Sequence, residues 1–216
     1  MGKRKPKEQV QQLYKHLIDI SSATWPDGTN GHALSLVKPG QGLLRMKRFR
    51  FQLMYHWLAE HLTPRRSADV GGGKGLLAYL LQERGWQVTV IDPVYQDLPD
   101  KYKDIVSGKR VRLPSTASVP YLDAEFEPSM CGDFDLIVGM HSHGCNVKII
   151  DGAKAFGCEF ILVPCCVIDE PLYPRQGVHW LECLVDYAIR QEFAVYPFQL
   201  HFKGQNIGFY ARPNRP

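Results

Sequence analysis

No stretch of the 216 residues approaches the ~20 consecutive apolar positions that a membrane-spanning helix requires. Internal repeats and low-complexity tracts are also missing, so solenoid, collagen-like and coiled-coil architectures are excluded. The opening decapeptide, MGKRKPKEQV, leads into a polar helix rather than the apolar core of a secretory signal. Cysteine is too sparse for a disulfide scaffold: there are six, at Cys131, Cys145, Cys158, Cys165, Cys166 and Cys183. Two are adjacent and the others lie in apolar segments, so reduced thiols and a cytoplasmic location are expected. What is present is ordinary for a globular chain, 44% hydrophobic and 22% charged, enough for one domain with something to spare.

The net charge of +4 is unevenly spread. Residues 1–50 carry ten Lys/Arg against three Asp/Glu, a balance of +7, and residues 51–216 carry sixteen against nineteen, a balance of −3. A basic end on a slightly acidic body suggests a polyanionic partner there, although a solvated tail that only aids solubility has the same composition.

Apolar residues at Val10, Leu13, Leu17 and Ile20 predict an amphipathic helix over about 7–22. A Gly/Pro/Asn-rich loop follows, then a helix over about 44–62 that is apolar on more than one side and carries a basic collar, Arg45, Lys47, Arg48 and Arg50. Beyond Pro64 short apolar runs alternate with helices. Strands are expected at 68–71, 88–92, 134–140 and 160–163, with a weaker one at 110–113; helices are expected at 76–84, 147–156 and 178–192. The runs 195–202 and 207–212, joined by Lys203-Gly204-Gln205-Asn206, read as a hairpin. The expected fold is α/β: a mostly parallel, Rossmann-like sheet with an antiparallel C-terminal hairpin, preceded by a helical extension over 1–64 and occupying 65–216.

The sharpest local signal is Asp69-Val70-Gly71-Gly72-Gly73-Lys74-Gly75, between the first core strand and its helix. A P-loop fails because Lys74 is followed by Gly75, and the dinucleotide fingerprint fails because Leu76 stands at its last glycine. The pattern D-x-G-x-G-x-G fits throughout. Seventeen residues after Gly75, Asp92 ends the next strand, where a carboxylate can accept both hydroxyls of a ribose.

These residues resemble motifs I and II of the class I S-adenosylmethionine-dependent methyltransferases, over about residues 65–212. The resemblance implies S-adenosyl-L-methionine as cofactor. Gly71, Gly73 and Gly75 would pass beneath its methionine part, Asp69 would orient the loop or the amino group, and Asp92 would hold the ribose.

Ligands of open α/β sheets sit outside the carboxyl ends of the strands. The strand ending at Met140 delivers His141-Ser142-His143-Gly144-Cys145-Asn146, and the next delivers Pro164-Cys165-Cys166. The two clusters meet if those strands are neighbours. Together they resemble the G-L-H-x-C-G and Cys-Cys pair of a methyltransferase subset that includes acceptor-stem tRNA 2′-O-methyltransferases. Here His143 stands at the Cys position of that pattern, and no Cys/His zinc finger precedes the domain. His141 is suited to act as a general base or to position an acceptor. For Cys165 and Cys166 three roles stay open: either could be a nucleophile, either could complete a zinc site with His141, His143 and Cys145, or both could be small apolar packing. The site expected is His141, His143, Cys165 and Cys166, with no metal assigned.

The [DN]-P-P-[YF] motif of N-methyltransferases is missing after Met140, and no Lys-Asp-Lys-Glu tetrad is readable. The segment Asp169 to Gly177 is expected to border the acceptor pocket, with Tyr173 available to stack on a base and Arg175 to meet a phosphate; Arg45 and Arg48 would contact phosphates from the collar. The leading expectation is a methyltransferase acting on structured RNA, tRNA or rRNA. The alternatives are a small-molecule or protein methyltransferase, and a non-catalytic assembly factor in a ribonucleoprotein.

Overall fold

The structure, a computed structural model, describes residues 6–21 and 47–214. Its elements run in the order α1 (Pro6–Ser21), α2 (Arg50–His61), β1 (Arg66–Val70), α3 (Leu76–Gln82), β2 (Gln87–Asp92), β3 (Lys101–Lys103), β4 (Arg110–Arg112), β5 (Tyr121–Asp123), β6 (Leu136–Met140), α4 (Asn146–Phe156), β7 (Glu159–Val163), α5 (Trp180–Arg190), β8 (Phe193–Gln199) and β9 (Ile207–Pro213). Seven strands form one sheet in the order β5-β2-β1-β6-β7-β9-β8. The pairs β2–β5, β1–β2, β1–β6 and β6–β7 are parallel, and β9 runs antiparallel to both β7 and β8. This is the expected Rossmann-like sheet closed by an antiparallel hairpin.

β6 is buried along its whole length between β1 and β7, which is why Leu136-Ile137-Val138-Gly139-Met140 reads as a continuous apolar run rather than an alternation. Alternate residues supply two cores. Ile137, Phe160 and Leu162 face α1, α4 and α5, while Val138, Ile161 and Val163 face α2 and α3. α1 buries Tyr14 and Leu17 in the first core. α2 buries Leu53, Met54, Trp57 and Leu58 in the second, with the Trp57 ring stacked 4.2 Å from that of Phe198. A stacked pair of this kind contributes about 1 kcal/mol beyond its buried area. No helix among the described residues is long and apolar enough to cross a membrane.

Three expectations need correction. Residues 110–112 do form a strand, but β4 pairs only with β3 in a separate two-stranded ribbon, and the outer parallel strand of the sheet is β5. β4 is exposed at every position and could not line a two-sided core. α2 begins at Arg50, after a 3-10 turn over Lys47–Phe49; residues 44–46 lie outside the described residues. β8 stops at Gln199, because the Asn206 side chain, itself buried, donates to the Phe202 carbonyl and closes the chain into a turn.

Candidate active site

The loop after β1 is shaped by what lies under it. Asp69 is only 2% exposed, and its Oδ2 has no hydrogen-bond partner. Burial, reinforced by the nearby Asp92 charge, pushes the Asp69 carboxyl up to about 7. A Cβ on Gly72 would stand 2.6 Å from that Oδ2, so the second glycine of the run, an x position in the D-x-G-x-G-x-G reading, is fixed by the carboxylate below it. Gly71 has φ +68, and a Cβ there would meet Ser142 Cβ at 3.2 Å. The Gly73 amide donates to Asp92 Oδ2 at 3.0 Å, and the Val94 amide to Asp92 Oδ1 at 3.0 Å, so Asp92 ties the loop after β1 to the loop after β2. Gly75 stands at the N-cap of α3 with φ +70, and a Cβ there would meet Val119 Cγ2 at 2.9 Å and Val90 Cγ2 at 3.2 Å.

A cleft of about 520 Å³ opens at the carboxyl ends of β1, β2, β5 and β6. Gly71, Asp92, His141 and His143 line it together with Asp169, the first residue of the segment expected at the pocket, and with residues that the sequence did not single out, notably Pro93, Glu125, Phe126 and Lys148. A larger cleft, about 730 Å³, lies between the loop after β2 and the β3–β4 ribbon and holds none of the strand-end histidines or cysteines.

β6 and β7 are neighbours, and the two strand-end clusters do meet. The His141 amide donates to the Val163 carbonyl at 3.1 Å. Glu170, 3% exposed, accepts from the Asn146 amide, the Asn146 side chain and the Val147 amide at the head of α4. A carboxylate at a helix N-terminus satisfies orphan amides and complements the helix dipole. His141 and Asp169 both hold positive φ, +61 and +58, a conformation that non-glycine residues adopt at a cost of order 1–3 kcal/mol and that concentrates at functional sites.

The His141 Nε2 lies 3.1 Å from the Gln205 carbonyl. A carbonyl only accepts, so Nε2 carries the hydrogen and the lone pair of the neutral ring is on Nδ1, which a base needs. His143 is exposed and stands between the two thiols: Cys165 Sγ is 3.3 Å from its Nε2, Cys166 Sγ is 3.3 Å from its Nδ1, and the two sulfurs are 3.5 Å apart. Burial, and then the Cys166 thiol, push the Cys165 thiol up to about 11, so at neutral pH it is a protonated thiol and a poor nucleophile. Cys131 and Cys158 pack in the core, as expected.

The proposed substrate contacts are dispersed. Arg45 lies outside the described residues. Arg48 is exposed with its guanidinium 5.2 Å from the Phe49 ring centre, and Arg50 is folded over Phe51. Tyr173 and Arg175 are exposed, and neither lines the strand-end cleft. A cationic surface that the sequence did not reveal lies on the β3–β4 ribbon. Its register sets Lys101 opposite Arg112 and Lys103 opposite Arg110, so four exposed cations share one face. Tyr102 and Val111 occupy the other face, and the Gln52 side chain anchors the ribbon through the Lys103 carbonyl and the Ile105 amide. Among the described residues no ion pair involves these four cations.

The sheet order and the glycine loop between β1 and α3 give the chain the Rossmann-like sheet with an antiparallel hairpin that the resemblance implied. No family model matches it. In sequence, 117 residues are 32% identical to a Caenorhabditis elegans protein named "Probable tRNA (uracil-O(2)-)-methyltransferase", covering 54% of this chain and 20% of that protein. A Caenorhabditis briggsae protein of the same name is 32% identical over 103 residues, 48% of this chain and 17% of its own length. The match thus spans about a fifth of the length of these relatives. In structure the chain is similar to a magnesium protoporphyrin IX methyltransferase of Synechocystis, with TM-score 0.49 and 14% identity over 76% of this chain and 79% of that one. It is also similar to a 1,6-didemethyltoxoflavin-N1-methyltransferase of Burkholderia thailandensis, with TM-score 0.48 and 14% identity over 100% and 93%. Structural likeness of that size transfers no property.

Proposed function

We propose that the chain transfers a methyl group from S-adenosyl-L-methionine to structured RNA, with tRNA the first candidate. The observation that carries the reaction is the strand-end cleft, where Gly71, the strand-terminal Asp92 and His141 come together beside the buried Asp69, whose Oδ2 has no hydrogen-bond partner. These residues fit the cofactor. Asp69 offers a negative charge to its ammonium group, Gly71 lets the backbone approach it, and Asp92 accepts from its ribose hydroxyls. The bound cofactor supplies a methyl group already activated on a sulfonium, so the protein's task is chiefly to hold donor and acceptor in line. His141, its ring oriented by the Gln205 carbonyl, positions the acceptor hydroxyl and takes up its proton on Nδ1.

The RNA part rests on the cationic ribbon and on the similarity to proteins named as tRNA methyltransferases. Like charges set directly opposite one another destabilise a bare ribbon, and phosphates laid across them relieve that repulsion. The test is incubation with radiolabelled S-adenosylmethionine and total RNA, protein extract or metabolites. Label should enter RNA and be lost in Gly73→Arg and His141→Ala. Label confined to protein or metabolites overturns the RNA substrate. Tight cofactor binding with label in no pool overturns the transfer itself.

A further inference from the structure

We propose that His143, Cys165 and Cys166 form a site for a borderline-soft divalent cation of the zinc class, with one coordination position left open at the rim of the strand-end cleft. The three donors come from the loops after β6 and β7, and their ligating atoms all lie within 4.8 Å of one another. Tetrahedral zinc, with Zn–S near 2.3 Å and Zn–N near 2.0–2.1 Å, places its ligand atoms roughly 3.5–3.8 Å apart. The separations here are 3.3 Å from each sulfur to a ring nitrogen and 3.5 Å between the sulfurs. The two sulfur contacts go to different nitrogens of the ring. With one nitrogen as the ligand, one sulfur–nitrogen pair and the sulfur pair are within a few tenths of an ångström of the tetrahedral separations, while the remaining sulfur–nitrogen pair lies within 4.8 Å and closes by a turn of the exposed imidazole.

The donor set selects the ion. Two thiolates and an imidazole suit zinc, whereas magnesium and calcium require oxygen ligands. Binding is balanced by release of the two thiol protons to solvent, because only the thiolates ligate. Among the described residues no fourth Cys, His, Asp or Glu joins the group. A closed structural site would need that fourth ligand, while three protein ligands with water in the fourth position is the catalytic arrangement. His143 itself lines the cleft, so an exchangeable position on the ion is available to an oxygen-bearing molecule held there. The backbone is braced for this, since Glu170 pins the loop after β7 to the head of α4 and leaves the two ligand-bearing loops little freedom to part. Whether the open position meets the acceptor of a methyl transfer rests on the function proposed above; the binding of the ion does not.

The full chain, reduced and stripped with chelator, is titrated with cobalt(II) alone. One equivalent should produce a thiolate-to-cobalt charge-transfer band and the intense visible absorption of tetrahedral coordination, both displaced by zinc. The Cys165→Ser/Cys166→Ser variant should lose the charge-transfer band. His143→Ala should weaken binding at least about tenfold, in line with the loss of one of three ligands. Cys183→Ser, whose sulfur lies on α5, should leave both features intact. Circular dichroism of each variant separates loss of a ligand from loss of the fold. Absence of the band in the native chain, or its persistence in the double variant, overturns the proposal. A cobalt signal in a chain that methylates nothing overturns the proposed function and leaves the ion site standing.

Discussion

Glu170 holds Asn146. One carboxylate oxygen of Glu170 accepts from the Asn146 amide at 2.9 Å and from its side chain at 2.5 Å, while the other accepts from the Val147 amide at 3.1 Å. A residue on the loop after β7 thus caps the helix that follows β6, and the spacing of the two strand-end clusters depends on it. Glu170→Ala leaves two buried amides of α4 without partners and should lower stability by about 2–3 kcal/mol. Glu170→Gln keeps one acceptor and should cost less. Urea denaturation of the three proteins measures both, and equal stabilities would show that the cap carries no weight.

Asp69 gives the chain a stability that declines with pH. Its carboxyl is raised to about 7, first by burial and then by Asp92, whereas the unfolded chain titrates near the usual ~3.9. Between those values the folded protein keeps a proton that the unfolded chain has lost, so stability falls as pH rises from about 4 to about 7 and stays low above that range. Asp69→Asn removes the titration. Its melting temperature should match that of the native protein near pH 4 and exceed it by several degrees at pH 8, while affinity for the cofactor is weakened. A gap that does not widen with pH counts against a buried, unpartnered carboxyl.

The β3–β4 ribbon should dominate salt-dependent binding. Replacing Lys101, Lys103, Arg110 and Arg112 together by Gln should reduce the slope of log affinity for tRNA against log salt by about 3–4, near one unit for each lost phosphate contact. Cofactor binding in the strand-end cleft, which none of those side chains lines, should be unchanged. Removal of residues 1–7 tests the basic terminus separately. If the slope drops only on that removal, the ribbon is not the contact surface.

Gly72 and Asp69 should be coupled. Gly72→Ala drives a Cβ to within 2.6 Å of Asp69 Oδ2 and 2.7 Å of its Cγ, so the loop must shift and affinity for S-adenosylhomocysteine should fall at least about tenfold. In an Asp69→Ala background the same substitution meets no carboxylate, and the two stability changes should depart from additivity by about 1 kcal/mol or more. Strict additivity would place the conflict elsewhere.

The parallel core was legible because its strands announce themselves by unbroken burial. Leu136 to Met140 and Phe160 to Val163 have no other place to go, and the chain spacing makes them adjacent. Asp69, Asp92, His141 and the Cys pair were legible because a glycine turn and strand ends fix where they emerge. The ribbon's common charged face was not, since Lys101 and Arg112 become neighbours only through a register that no local pattern encodes. Glu170 was hidden for a similar reason: its partners Asn146 and Val147 are more than twenty residues away, and an acid before a proline in a loop looks like a solvated turn. Glu125, Phe126 and Lys148 reach the cleft from separate elements and share no sequence motif.

The protonation of Asp69 also bears on how ligand binding will register as heat. Near pH 7 its carboxyl is about half protonated, and a cationic group settling against it favours the ionised form. Each binding event then hands a fraction of a proton to the buffer. Calorimetric enthalpies measured in phosphate and in Tris should differ in proportion to the ionisation enthalpies of the two buffers, and the difference should vanish in Asp69→Asn at any concentration that still saturates the site.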